Sequence, residues 1–293
     1  MRSGSKKYVG LLYISPWIIG FLVFQLYPFL ASLYYSFCDY SMLKAPVFVG
    51  VKNYIKMFTN DLTFYQSLKV TILYTLITIP IKLAFALLIA MILNVSIRGI
   101  NLFRTIFYLP SILGGSVAIA IVWRFIFMRD GLLNQFLSTL SLPTADWLGN
   151  PDLTLGTISM LAVWQFGSSM VIFLAGLKQI PVSLYEASTI DGASRPRKFI
   201  SITLPMLSPV ILFNLVIQTI YALQEFTSVF IVTKGGPVKA TYLYALMLYD
   251  EGFGYFRMGY ASALAWIFFI IIMAITLIIF KFFAKRTYYG EGG

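Results

Sequence analysis

Six long apolar runs dominate this 293-residue sequence and limit what it can fold into. A helix needs about 20 mostly apolar residues to cross the roughly 30 Å hydrocarbon core of a bilayer. Runs of this length lie at approximately 11–37, 70–94, 103–128, 155–177, 206–232 and 260–284. Because backbone polar groups inside lipid must be satisfied within the segment, the runs predict helices. We therefore expect an all-α integral membrane protein with six transmembrane helices.

The composition agrees with a chain whose main solvent is lipid. Hydrophobic residues make up 59% of it and charged residues 11%, whereas soluble domains carry about 25% charged residues. It has no histidine and a single cysteine, Cys38, which excludes disulfides and imidazole catalysis, and no metal site is predicted. The net charge is +11, but the basic residues flank the apolar runs, a pattern that argues against nucleic-acid binding.

The distribution of lysine and arginine predicts the orientation in the membrane. With both termini inside, twelve of the 22 basic residues fall on short cytoplasmic segments and nine on longer outer loops. Cytoplasmic loops are enriched in these residues, so both termini are expected in the cytoplasm. The first run, 11–37, is too long for a signal-peptide core and is expected to be retained. The outer segment Asp39–Lys69 is expected to hold a short amphipathic helix around Asn53–Phe58.

The segment between the fourth and fifth runs has its own local pattern. Ser183 is expected to cap a helix, and Glu186 three residues later completes a capping box. Asp191 and Gly192 form a turn signal that ends this helix, and the basic stretch 195–198 follows. The pattern predicts a helix–turn–helix on the cytoplasmic face. By itself it leaves open a simple membrane-surface connector.

The same segment resembles the EAA loop of permease subunits of ATP-binding-cassette importers. That loop reads Glu-Ala-Ala, three residues, Gly, nine residues, Ile, one residue and Leu-Pro. The matching residues here are Glu186, Ala187, Ser188, Gly192, Ile202, Leu204 and Pro205, with Ser188 in place of the third alanine. Further segments resemble the sugar-permease branch, namely 48–54, 108–110, 122–124, 235–237 and 258–263. Within that branch the chain is most similar to the first of two non-identical permeases in maltose-type and glycerol-phosphate-type importers.

The resemblance implies a type I importer permease fold. It implies one transmembrane domain over residues 1–293, with its core at about 70–284 and the EAA coupling loop at about 181–205. The loop would dock into a groove of a cytoplasmic ATPase. The residues expected to make this coupling contact are Glu186, Ala187, Ser188, Asp191 and Gly192.

The resemblance also implies a set of partners. These are a second, non-identical permease, two cytoplasmic ATP-binding subunits and an extracellular or periplasmic solute-binding protein, assembled at a bacterial cytoplasmic membrane. No G-x-x-x-x-G-K-[ST] loop occurs in the sequence. The chain is therefore expected to be a non-catalytic subunit without a cofactor, with ATP bound by its partners.

Polar residues inside the fourth and fifth runs are candidates for the solute pathway. Asn214, Gln218, Tyr221 and Glu225 recur at i, i+4, i+7 and i+11, which predicts one helical stripe. Aromatic faces with amide and hydroxyl groups suit a sugar. The resemblance places five residues opposite solute-contacting positions of maltose-type permeases, namely Trp164, Gln165, Ser168, Gln218 and Glu225. The predicted pathway consists of Trp164, Gln165, Ser168, Gln218, Tyr221 and Glu225.

Interhelical hydrogen bonding is the alternative for such residues, above all for Ser169 and Asn214. Lys82, a charge within the second run, either reaches the outer interface by snorkelling or pairs with Glu225. We therefore expect a permease subunit of an ATP-driven importer for a sugar or related polar solute. An ion-gradient-driven secondary transporter is the alternative, and would favour more spans with broken-helix repeats.

Overall fold

The computed structural model describes residues 5–284, and helices make up most of this part of the chain. The basic tail residues Arg2, Lys285 and Arg286 lie outside the described residues. The helices are α1 (Ser5–Phe21), α2 (Tyr27–Ser36), α3 (Lys52–Asn60), α4 (Leu62–Ile92), α5 (Ile100–Leu113), α6 (Val117–Phe127), α7 (Leu132–Thr139), α8 (Pro151–Trp164), α9 (Gly167–Leu177), α10 (Val182–Ile190), α11 (Arg195–Lys198), α12 (Leu204–Leu223), α13 (Thr227–Val232), α14 (Tyr244–Tyr249) and α15 (Met258–Ala284). Two short strands, β1 (Cys38–Asp39) and β2 (Val47–Phe48), pair antiparallel.

Within the described residues, four helical stretches are long and apolar enough to cross a membrane. They are Tyr13–Ser36, Leu62–Ile92, Arg195–Val232 and Met258–Phe283. Two further candidates are bent helix pairs, Ile100–Leu113 with Val117–Thr139 at 97° and Pro151–Trp164 with Gly167–Leu177 at 48°. The six predicted spans correspond to these six units. The third and fourth spans are each interrupted by a break, which the apolar runs alone did not indicate.

The third span breaks between α5 and α6, where two consecutive glycines, Gly114 and Gly115, follow the helix. Glycine loses more backbone entropy in a helix than any other residue, so this dipeptide weakens the helical path. Ser116 then caps α6, because its hydroxyl accepts a hydrogen bond from the Ile119 amide at 3.3 Å. The break is therefore encoded by a glycine pair followed by a capping residue.

The fourth span breaks between α8 and α9, and side chains satisfy the backbone groups that the two breaks release. The Ser111 hydroxyl donates to the carbonyl of Gln165 at 3.2 Å and accepts from the Ser168 amide at 2.9 Å. The side-chain amide of Gln165 donates to the carbonyl of Gly114 at 2.9 Å. Gly167 allows α5 to approach, since a Cβ there would lie 2.7 Å from the Phe107 carbonyl oxygen. Broken helices are tolerated at membrane depth when the freed groups are satisfied in this way.

The described residues divide into two compact units, 5–62 with 248–270 and 63–247 with 271–284. In the second unit α12 and α5 each pack against α9, and α13 packs against α6 and α8. The core of this unit contains large, fully buried side chains, including Tyr74, Ile158, Met170, Phe173 and Leu207. Both regions considered below as candidate sites lie in the second unit. The single permease domain over residues 1–293 stays a prediction.

The first unit contains the predicted amphipathic helix in the outer segment, observed as α3, so that prediction is confirmed. The Asn53 amide donates to the carbonyls of Ser36 and Cys38, both at 2.9 Å. Glu251 forms an ion pair with Arg257, with 2.9 Å between Nε and Oε2. Burial raises the pKa of the Glu251 carboxyl, although Arg257 acts in the opposite direction.

Candidate solute cavity and coupling loop

A cavity of about 410 Å³ lies in the second unit, beside the two helix breaks and the end of α12. Five of the six residues predicted for the solute pathway line it, namely Gln165, Ser168, Gln218, Tyr221 and Glu225. The sixth, Trp164, does not line this cavity, and its ring lies 6.3 Å from that of Trp123. The structure thus brings residues of the fourth and fifth spans to one cavity, while their role in solute binding stays a prediction.

The sequence analysis recognised one wall of the cavity only in part, since it named Lys82 but neither Tyr74 nor Thr78. Tyr74, Thr78 and Lys82 of α4 line it. Their spacing of i, i+4 and i+8 places them on one helical face, a signal that could have found them. Ser111 and the glycine pair of the α5–α6 break also line the cavity. These positions carry no long polar side chain, so pattern alone gave no reason to select them.

Glu225 reaches the cavity by a different route from the predicted one. Helix α12 ends at Leu223, and Gln224 has φ −90° and ψ 8° outside the helix. Glu225 therefore does not continue the stripe of Gln218 and Tyr221, and the prediction of one four-residue helical stripe is wrong. Its Oε1 accepts hydrogen bonds from the Ser228 amide at 2.9 Å and the Ser228 hydroxyl at 2.8 Å. The carboxylate thereby fixes the turn between α12 and α13.

Gln218 and Tyr221 differ in exposure although both line the cavity. Gln218 is 4% exposed, whereas Tyr221 is 65% exposed. Asn214, on the same helix, does not line the cavity, and its amide nitrogen donates to the Val210 carbonyl at 3.2 Å. Ser169 is also buried away from the cavity lining. The interhelical hydrogen bonds expected as the alternative for these two residues are not observed in the described part of the chain, since the Asn214 bond lies within α12 and the Ser169 hydroxyl has no partner.

Lys82 is partly buried and lines the same cavity as Glu225. Within residues 5–284, the ammonium group of Lys82 and the carboxylate of Glu225 do not form an ion pair. The two groups line the same cavity without direct contact. Pairing by direct contact, one of the two alternatives for Lys82, is not observed.

The predicted coupling loop folds as the expected helix–turn–helix, with α10, a turn and α11. The predicted capping box is wrong. Helix α10 begins at Val182, with Pro181 in an extended conformation (φ −59°, ψ 130°) at the capping position and no side-chain cap bond. Ser183 therefore lies inside the first turn of α10. The fixed φ of Pro181 is compatible with a position at the start of a helix.

The end of α10 forms a Schellman motif, in which a left-handed residue after the helix lets the chain reverse. Gly192 has φ +71°. Its amide donates to the Thr189 carbonyl at 3.1 Å, and the Ala193 amide donates to the Ser188 carbonyl at 2.9 Å. The predicted turn at Asp191 and Gly192 is thus present.

The predicted coupling residues mostly lie on the surface of this loop. Glu186, Ala187, Asp191 and Gly192 are exposed, whereas Ser188 is partly buried and its hydroxyl donates to the Tyr185 carbonyl at 2.8 Å. The apolar side chain of Ile190 on the same helix is 88% exposed. Helix α10 therefore presents a mixed acidic and apolar surface, and its docking partner stays a prediction.

Tyr185 connects this helix to the fifth span. Its hydroxyl lies 2.9 Å from the Thr203 hydroxyl, in the π-helical turn at Phe199–Thr203 that leads into α12. Lys198 of α11 donates to the Thr189 hydroxyl at 2.6 Å, which joins the two arms of the loop. Tyr185 is partly buried and also packs against the hydrophobic core. The loop is therefore attached to α12 by hydrogen bonding and by packing.

Comparison with known proteins decides the family. Residues 63–288 match the model of the family described as binding-protein-dependent transport system inner membrane component. The chain belongs to this family. As in its relatives, which are named transporter permeases, this permease is a non-catalytic, multi-pass membrane subunit of a sugar-type ATP-binding-cassette importer. The secondary-transporter alternative has no support.

Relatives match the permease over nearly its whole length. It is 52% identical over 275 residues to the probable ABC transporter permease protein YesP of Bacillus subtilis, covering 93% of this chain and 89% of that protein. It is 34% identical to the arabinooligosaccharides transport system permease protein AraP of the same species, covering 98% and 92% of the two chains.

A solved structure confirms the type I permease fold. A chain of a bacterial alginate ABC transporter, determined in complex with an alginate pentasaccharide-bound periplasmic protein, superposes with a TM-score of 0.83 at 22% identity. The superposition covers 98% of this chain and 97% of that one. The membership and the fold together confirm the family predicted from the EAA loop.

Proposed function

We propose that the permease forms half of a translocation pathway for an oligosaccharide or related polar solute, with the cavity as its solute site. The main support for this proposal is that five predicted pathway residues, from two separate spans, line one membrane-embedded cavity. Its volume of about 410 Å³ falls within the roughly 300–1,000 Å³ of small-ligand sites. Hydroxyl, amide and aromatic groups on its walls match the hydrogen-bonding capacity of a sugar.

The names of similar proteins support a saccharide solute. Relatives include the arabinooligosaccharide permease, a lactose transport permease of Rhizobium radiobacter and an sn-glycerol-3-phosphate transport permease of Agrobacterium fabrum. Because their solutes range from neutral sugars to a phosphate ester, they indicate polar polyhydroxyl compounds as a class rather than one molecule.

Coupling to ATP hydrolysis would use α10. The exposed Glu186 and Ile190 are available for docking on a cytoplasmic ATPase. The contact between Tyr185 and Thr203 attaches the docking helix to the start of α12. Helix α12 spans 20 residues, or about 30 Å at 1.5 Å per residue, and carries Gln218 near its far end. A displacement of α10 would thus be carried along one helix to the cavity.

The full assembly would contain a second, non-identical permease, two ATP-binding subunits that hold the nucleotide, and a solute-binding protein. The family description, which names a binding-protein-dependent system, supports the last partner directly. The assembly would lie in a bacterial cytoplasmic membrane with both termini of this chain in the cytoplasm, the orientation favoured by the basic residues.

Reconstitution tests this function. The chain, co-expressed with its partner permease and ATPase, is expected to purify as one complex. In vesicles supplied with the binding protein, saccharide uptake should require ATP and vanadate should inhibit it. Collapse of proton and sodium gradients should leave uptake unchanged. Uptake that follows an ion gradient and ignores ATP would contradict the proposal.

A further inference from the structure

Lys82 lies too deep in its span to reach either membrane interface. Twelve residues separate it from each end of the second apolar run, 70–94. At 1.5 Å per helical residue this is about 18 Å of helix in both directions. Snorkelling carries a lysine head group only as far as its four-carbon stem extends, which is far less than this distance. Lys82 therefore needs its partner at the level of the cavity.

The cavity does not hold a contacting partner for this charge in the described part of the chain. No hydrogen bond or ion pair of the Lys82 ammonium group is observed within residues 5–284. Glu225 carries the one carboxylate among the described residues that line the cavity. Its Oε1 is already occupied by the amide and hydroxyl of Ser228. The carboxylate thus has a defined structural task at the start of α13, while the ammonium group has none.

A cation at membrane depth is costly unless it faces a water-filled cavity or meets an opposite charge, and a solute that fills the cavity displaces that water. The hydroxyl of a neutral sugar can accept a hydrogen bond from an ammonium group but leaves its charge uncompensated. A carboxylate, sulfonate or phosphate compensates the charge and forms a stronger, charge-assisted hydrogen bond. The neighbouring polar residues Thr78 and Gln218 are uncharged and suit the remaining hydroxyls of a saccharide.

We propose that Lys82 binds a negatively charged substituent of the transported saccharide, so that this permease carries an acidic sugar. The inference rests on the proposed function, since it assumes that the cavity is the solute site. It adds the chemical class of the solute and the residue that selects it. Thr78 and Tyr74 lie one and two turns from Lys82 on the same face of α4 and complete this side of the site.

Equilibrium binding to the purified permease–ATPase complex, without the binding protein, tests the proposal. The probes are α-1,4-digalacturonate and neutral α-1,4-galactobiose, which share ring number and linkage and differ in the carboxylate. Galactose 6-phosphate and galactose 6-sulfate, each compared with galactose, identify the type of anion. One charge-assisted hydrogen bond predicts a roughly ten- to hundredfold preference for the acidic member of a pair, reduced by salt.

Substitutions assign the preference to Lys82. Lys82→Gln should abolish the acidic preference, whereas Lys82→Arg should keep it. Lys281→Gln, which removes a charge from the last turn of α15, is the matched control and should leave the ratio unchanged. Glu225→Gln removes a negative charge from the cavity and should not lower the ratio.

Equal binding of acidic and neutral probes by the unmodified complex would overturn the proposal, as would a preference that persists in Lys82→Gln. Failure of every acidic probe to bind would do the same. These outcomes leave the ATP-driven importer intact. Failure of the proposed function shows itself separately, as uptake that proceeds without ATP.

Discussion

Gly192 shows how one backbone conformation sets the geometry of the coupling loop. Its φ of +71° ends α10, and no atom lies within 4 Å of the position that a Cβ would occupy. Space therefore does not restrict this residue; the left-handed conformation does, because it is strained for residues with a Cβ and most of all for β-branched ones.

Gly192→Val is expected to reduce solute uptake at least tenfold while the protein still inserts and still assembles with its partners. Gly192→Asn should retain most activity, because asparagine tolerates the left-handed conformation. Uptake and ATP hydrolysis in vesicles, normalised to assembled complex, check this prediction. Equal uptake by the valine and asparagine variants would show that the conformation of Gly192 is not required.

Gln218 and Glu225 line the cavity from two different elements, so their substitution separates solute contact from helix packing. Gln218→Leu removes hydrogen bonding at similar volume. Glu225→Gln removes the charge but keeps an oxygen that can accept from Ser228. Each unmade bond should cost about 1–3 kcal/mol, or roughly ten- to a hundredfold in apparent affinity or rate.

Solute uptake and stimulated ATPase activity, both normalised to assembled complex, provide the measurement for Gln218 and Glu225. Asn214→Leu is the matched control, since Asn214 lies on the same helix outside the cavity lining. Unchanged normalised uptake in both cavity variants would show that these residues serve in packing and not in solute binding.

At the scale of elements, the six spans were predictable because apolar length is a strong signal. The break in the third span has a local signal that the sequence analysis did not use, the pair Gly114-Gly115 before Ser116. The break in the fourth span was not predictable, because it depends on contacts between distant segments. Ser111 satisfies the backbone at residues more than 50 positions away, and no local pattern identifies that contact. The sequence analysis also placed Glu225 on a helix that in fact ends at Leu223, because the apolar run continues past the turn that Glu225 and Ser228 form.

The bond network at the breaks predicts a specific stability effect. Ser111→Ala leaves the partly buried Gln165 carbonyl and Ser168 amide without this partner, and each lost hydrogen bond costs about 0.5–1.5 kcal/mol. The variant should melt several degrees lower in detergent. Ser138→Ala, at an exposed serine whose hydroxyl bonds only locally to Gln135, is the control. Identical melting of the two variants would rule out a supporting role for Ser111.

The attachment of α10 to α12 predicts an effect on coupling rather than on stability. Tyr185→Phe removes the hydroxyl that contacts Thr203, worth about 0.5–1.5 kcal/mol. We expect the number of solute molecules imported per ATP to fall roughly two- to tenfold. Thr203→Val should have the same effect, and the double variant should add nothing, because both remove one interaction. Additive losses would show that the two hydroxyls act independently.

At the scale of the whole molecule, the sequence predicts the orientation of the chain in the membrane, and the family membership indicates its fold. A reporter active only in the cytoplasm is expected to be active when fused after Arg286 and inactive when inserted near Asp146. The basic residues are distributed to favour this orientation. An insertion beside Gly192 should be active and serves as the internal control. The reverse pattern at Arg286 and Asp146 would refute the orientation.

The paired helix breaks have a consequence for how solute range can change. An unbroken helix offers its ligand only side chains, whereas an interrupted helix also brings peptide groups to the wall, and no substitution removes a peptide group. Ser111 and Gln165 hold that fixed part in place. Gln218 and Tyr221 line the cavity from an intact helix without such a duty in the described structure. Substitutions at these two positions can therefore change which solutes bind, while the backbone groups exposed at the helix breaks are unaffected.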